Sequence, residues 1–108
     1  MGIELPKPLA AYFAAKNRKD IDGMLSAFAA DAIVHDEGED HHGRAAIRSW
    51  MEETTRKYAV TADVTELAKD GEKLRVAALV SGTFPGSPAT LHYNFTLEGD
   101  AVKRLEIG

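Results

Sequence analysis

The segment from Ala30 to Ile47 concentrates side chains able to move protons or hold metals: His35, Asp36, Glu37, Glu39, Asp40, His41 and His42. Such a cluster could serve acid–base chemistry or coordinate a divalent cation. Spacing separates the two. Successive side chains of a strand point to opposite faces, so His35 and Asp36 diverge, as do His41 and His42. No HExxH or histidine–carboxylate spacing accompanies them, and no metal is expected. Glu37, Glu39 and Asp40 read as a solvated turn around Gly38. Asp36 shares a face with Val34, which directs it inward. Desolvation there raises a carboxylate's pKa and suits it to carrying a proton near neutrality. The competing reading is a hydrogen-bonded turn acid, since Asp before Glu37-Gly38 is also turn composition. His42 is expected either at the rim of a pocket or as a cap for the helix that opens at Gly43.

Those residues need a container, and the chain divides into one. Leu5, Leu9, Tyr12 and Phe13 recur at helical spacing, with Lys7 and Lys16 expected off that stripe. Pro6 and Pro8 belong at or before the first turn. Asp20 caps a second helix whose face is expected to carry Ile21, Met24, Leu25, Phe28 and Ala29. A short β-prone run follows and delivers Asp36. A third helix begins after Gly43, with Ile47, Trp50, Met51, Thr54 and Tyr58 along one face. The period then changes to two, giving strands from Val60 to Leu67, around Leu74–Val80, around Leu91–Leu97 and around Val102–Ile107. Asp70-Gly71, Phe84–Pro88 and Gly99-Asp100 mark the turns between them. Helices first and strands later make this an α+β chain, a single domain over residues 1–108. The expected architecture is three N-terminal helices on the concave face of a strongly curved, mainly antiparallel sheet, a cone-like α+β barrel. Phe13, Phe28, Trp50, Tyr93 and Phe95, with Val34 and Leu91, either fill that concavity or line a cavity for a small apolar molecule.

Bulk properties exclude several functions. The chain has 108 residues, 44% hydrophobic and 28% charged, with a formal net charge of −4. That acidity, without a basic stripe, argues against nucleic acid or an anionic membrane as partner. No cysteine is present, so disulfides and thiolate chemistry are excluded. No apolar run approaches the roughly 20 residues that span a bilayer. The start Met1-Gly2-Ile3-Glu4-Leu5-Pro6 lacks signal-peptide character, and a cytoplasmic location is expected.

The order helix, helix, short hairpin, helix, four-stranded meander resembles the nuclear-transport-factor-2-like superfamily, which includes SnoaL-like polyketide cyclases and ketosteroid isomerases. Phe28-Ala29-Ala30-Asp31-Ala32-Ile33-Val34-His35-Asp36 and His42-Gly43-Arg44-Ala45-Ala46-Ile47 carry the resemblance. Phe84–Pro88 and Tyr93–Asp100 extend it, so that it covers Leu9 to Gly108. It implies that Asp36 occupies the position of a proton-moving base and Tyr12 that of a hydroxyl donor to an enolate oxygen. The late-strand acid of the isomerases falls at Leu91, a departure that argues against steroid isomerisation, and His92 beside it faces the other side. The resemblance therefore implies a cofactor-free isomerase, cyclase or dehydratase acting beside a carbonyl, with Asp36 and Tyr12 as catalytic residues. Phe13, Phe28, Val34, His42, Trp50, Leu91, Tyr93 and Phe95 would then line the ligand site. The other function open to the same fold is a non-catalytic ligand-binding or dimeric interaction module. A homodimer through the outer sheet face, using Ala77, Leu79 and Val64, is also implied.

Overall fold

The computed structural model describes residues 4–108. The reading of Met1-Gly2-Ile3 as part of a leaderless N-terminus lies outside the described residues. Helix α1 (Lys7–Asn17) starts at the N-cap Pro6, with a proline in its first turn as expected. Helix α2 (Ile21–Leu25) is capped by the Asp20 side chain, which accepts from the Gly23 N–H at 3.0 Å. A hairpin of β1 (Phe28–Asp36) and β2 (Glu39–His42) leads into α3 (Gly43–Tyr58). Strands β3 (Thr61–Asp70), β4 (Lys73–Ser81), β5 (Ala89–Glu98) and β6 (Ala101–Ile107) complete the chain.

The second helix is shorter than its sequence pattern. Phe28 and Ala29 belong to β1, not to α2. Five residues of helix gain little by extending one more turn. Strand pairing offers Phe28 a neighbour in Val102, and the Val102 N–H donates to the Ala27 carbonyl at 2.8 Å.

Strands β3 to β6 form the expected antiparallel meander. Strand β6 then runs parallel beside β1, so the sheet is mixed, in the order β2-β1-β6-β5-β4-β3. It is curved, as expected, and open: β2 and β3 are its two edges. The β3 edge is blocked by the end of α1 instead of by a seventh strand. Asn17 donates to the Ala62 carbonyl at 2.9 Å and accepts from the Ala62 N–H at 2.7 Å, and Lys19 donates to the Val60 carbonyl at 3.0 Å. Side chains thereby satisfy backbone groups that would otherwise stay open to another strand.

Helix α3 packs over β1 and β2, and α1 over β3 and β6. Alternation fixes the inner face of β4, where Leu74, Val76, Ala78 and Val80 are buried. With Tyr12, Phe28, Ile47, Met51, Phe95 and Leu105 they form one continuous core. Among the described residues, no helix is long and apolar enough to cross a membrane.

Candidate functional site

Asp36 ends β1 at a two-residue turn in which Glu37 and Gly38 both have positive φ, 53° and 77°. This is the hairpin geometry that matches strand twist, and glycine suits its second position. Register assigns the faces. Val34 pairs with His41 and Asp36 with Glu39, while Ile33 pairs with His42 and His35 with Asp40. Directly paired residues share a face. The acids and histidines are thus divided: Asp36, Glu39 and His41 lie on the face with buried Val34. His35 and Asp40 lie on the other, joined by a 2.6 Å hydrogen bond.

From α3, the Trp50 indole N–H donates to Asp36 Oδ2 at 3.0 Å. Burial pushes the Asp36 carboxyl above its ordinary range, helped by the neighbouring Glu37 charge; the Trp50 N–H, the Glu37 backbone N–H and Lys16 oppose the rise. Asp36 is therefore a partly desolvated acid held in one orientation.

It opens onto a cavity of about 280 Å³. Lys16, Asp36, Glu37, Trp50, Thr54 and Tyr58 line one side. Val60, Val80, Phe84, Pro85, Leu91, Tyr93 and Ile107 supply the rest, a largely apolar wall. A smaller space of about 100 Å³ adjoins it and adds Glu39, His41, Glu53 and Lys57. The Tyr58 hydroxyl donates to Glu37 at 3.0 Å where the two spaces meet. The loop after β4 is held against the end of α3. The Thr83 N–H donates to the Tyr58 carbonyl at 2.8 Å, and a side chain at Gly82 would meet that carbonyl oxygen at 2.5 Å. This contact places Phe84 and Pro85 over the cavity.

Lys16 is the residue the sequence reading missed. It is 9% exposed and lies on the buried stripe of α1, not off it. Its position is i+7 from Leu9, i+4 from Tyr12 and i+3 from Phe13, a spacing that already assigned it to that face. Its ammonium sits 5.7 Å from the Tyr12 ring centroid and 6.0 Å from that of Tyr93. Burial lowers its pKa from 10.5 to about 8; Asp36 opposes that shift and Lys19 adds to it.

Of the residues singled out in the sequence, Asp36, Trp50, Leu91 and Tyr93 meet around the cavity. Leu91 stands on its wall. The others lie elsewhere. Phe13, Phe28, Val34 and Phe95 are packed in the core and do not line the cavity. Tyr12 is fully buried, ringed by Phe13, Phe28, Tyr93 and Phe95 at centroid distances of 5.1–6.5 Å. Its hydroxyl has no hydrogen-bond partner among the described residues, and Tyr12 does not line the cavity. Burial, with Tyr93 and Asp36 nearby, pushes that phenol well up. His42 is exposed and takes the N-cap position of α3 without a side-chain cap bond. Its neighbour His41 is the one turned toward the site, its ring 6.0 Å from that of Trp50.

A family model described as a SnoaL-like domain matches residues 9–105. No curated protein matches the chain. Among solved structures, a candidate polyketide cyclase from Sinorhizobium meliloti is 42% identical with a TM-score of 0.93, covering 96% of this chain and 95% of that one. A Catenulispora acidiphila protein with a ketosteroid isomerase-like fold, solved with trimethylamine, is 20% identical with a TM-score of 0.84 over 97% and 86% of the two chains. A candidate polyketide cyclase from Xanthomonas campestris is 23% identical with a TM-score of 0.79 over 93% and 85%.

Proposed function

We propose a function from one premise, that the chain belongs to the SnoaL-like domain family: it transfers a proton beside the carbonyl of a small, mostly apolar molecule, without a cofactor, using Asp36 as general acid and base. The helices roof the sheet as a cone, and the ligand occupies the space left inside. The observation that carries this reading is Asp36 itself, half-buried on an apolar cavity, with Trp50 fixing one carboxylate oxygen. A base must be desolvated enough to pull a carbon-bound proton and ionised enough to accept it. Burial and the Trp50 N–H act on Asp36 in those opposite senses.

As the carboxylate takes the proton, negative charge grows on the carbonyl oxygen. The Lys16 ammonium and the Tyr93 hydroxyl, both on the cavity wall, meet that charge in a site of low dielectric. Tyr93 thus takes the donor role expected of Tyr12. Asp36 then returns the proton to another carbon or to a leaving oxygen, which gives isomerisation, cyclisation or dehydration. The cavity volume is near the lower bound of about 300 Å³ for small-molecule sites and favours a ligand of one or two rings. Leu91, in place of a second acid, favours enolisable compounds whose own conjugation spreads the charge.

Deuterium exchange at the α-carbons of small cyclic ketones and 1,3-dicarbonyls, followed by NMR, tests this. Asp36→Asn should slow protein-catalysed exchange by about 10²–10⁴-fold with an unchanged circular dichroism spectrum. Exchange that persists in the variant overturns the assignment. We further propose a homodimer through the outer sheet face, where Leu79 is 40% exposed. Leu79→Glu should then yield a monomer by light scattering, and a wild-type monomer refutes the dimer.

A further inference from the structure

The proton-transfer reading uses Lys16 only as a charge. An ammonium that is nine-tenths buried normally answers to a carboxylate. Lys16 has no ion pair or hydrogen bond among the described residues, and Asp36 on the same cavity is held by Trp50 instead. A primary amine is thus presented, unpartnered, to a cavity sized for a small molecule.

We propose that Lys16 is an amine nucleophile that condenses with a small aldehyde or ketone in the cavity to form an iminium. The nitrogen lone pair bonds to the carbonyl carbon, and the C=O pair moves to oxygen. A proton passes from nitrogen to that oxygen, giving a carbinolamine. A second proton, from Asp36 in its acid form, converts the hydroxyl to water. The C–O bond breaks as nitrogen forms C=N⁺, and water leaves. Nothing is oxidised or reduced.

Three features of the site suit this chemistry. The Tyr12 and Tyr93 rings, already near Nζ, present π-faces to the cationic product. Asp36 stands on the same cavity to shuttle the protons. Burial, moreover, leaves Lys16 with a pKa of about 8. Roughly a tenth of it is then neutral at pH 7, against about one in three thousand for an ordinary lysine. The inference goes beyond proton transfer by Asp36, since it assigns a covalent role to a different side chain.

Reductive trapping decides it. The full chain is incubated at pH 7 with benzaldehyde and sodium cyanoborohydride, and adducts are mapped by mass spectrometry of peptides, which also separates the N-terminal amine. The neutral fraction favours Lys16 by about 300-fold, so its initial labelling rate should exceed the mean of the other lysines at least tenfold. Lys16→Arg should lose the fast phase while its remaining lysines label at the wild-type rate. Labelling of Lys16 no faster than that of exposed Lys7 or Lys103 overturns the proposal, as does a fast phase that survives in Lys16→Arg. The two readings fail separately. Trapping at Lys16 with α-carbon exchange unaltered in Asp36→Asn removes proton transfer alone. Asp36-dependent exchange without preferential trapping removes the amine alone.

Discussion

Replacing Lys16 by methionine should stabilise the protein at neutral pH, and the gain should vanish in alkali. At pH 7 the lysine carries its proton in both the folded and the unfolded chain. Folding therefore buries a charge, and lowering its pKa from 10.5 to about 8 corresponds to about 3 kcal/mol against the folded state. Methionine, one atom shorter, keeps the unbranched apolar stem of the side chain. It forfeits the ammonium's contacts over Tyr12 and Tyr93, together about 1 kcal/mol. A net gain of about 2 kcal/mol remains, or roughly 10 °C in Tm for a domain of this size. The pH dependence carries the sign. Between about pH 8 and 10.5 the unfolded lysine holds a proton that the folded one has released, so wild-type stability rises with pH relative to the variant. The limiting slope is about 1.4 kcal/mol per pH unit, and the two chains converge near pH 10.5. Urea unfolding at pH 7, 8, 9 and 10 measures both quantities. A variant less stable than wild type at pH 7, or a difference that stays constant across the series, refutes the burial of a charged Lys16.

Trp50→Phe removes the N–H that holds the Asp36 carboxylate at 3.0 Å, so the Asp36 pKa should rise further above its ordinary range. The pH profile of α-carbon exchange, or the carboxyl carbon shift in NMR, reports it, and an unmoved midpoint contradicts the contact. Tyr12→Phe deletes a buried hydroxyl without a partner among the described residues and should raise stability by about 1 kcal/mol without loss of exchange activity. A large activity loss would return Tyr12 to the role of donor. Asn17→Ala frees both backbone groups of Ala62 and should cost about 1–2 kcal/mol in urea unfolding, with hydrogen exchange accelerated at Ala62.

The sequence made the strands legible where one face is buried and the other is wet. In β5, Tyr93 and Phe95 alternate with Asn94 and Thr96, and the observed register keeps that parity. It misled where two periods coincide. Phe28 and Ala29 continue the helical spacing set by Ile21, Met24 and Leu25, and only the distant Val102 decides that they are strand. The open sheet was likewise beyond local pattern, since Asn17 blocks an edge that lies far along the chain. For the site, alternation alone placed Asp36 inward. Assigning His41 rather than His42 to that side needed the register between β1 and β2, which no single strand encodes. Lys16 was legible, because its spacing to Leu9, Tyr12 and Phe13 is that of a buried stripe. Charge, weighed alone, assigned it to solvent.

The parallel pairing of β1 with β6 has a consequence in time. Phe28 waits for Val102 and Val34 for Leu105, partners that follow the other five strands of the sheet in sequence. The hairpin carrying Asp36 is an isolated pair until then, and two strands alone are marginal in water. Ile107, from the same final strand, closes one wall of the cavity. The meander β3–β5 joins strands adjacent in sequence, while the cavity assembles in a late, non-local step. Such closures slow folding. A chain ending at residue 100 should lack that pairing and leave the cavity without its Ile107 wall.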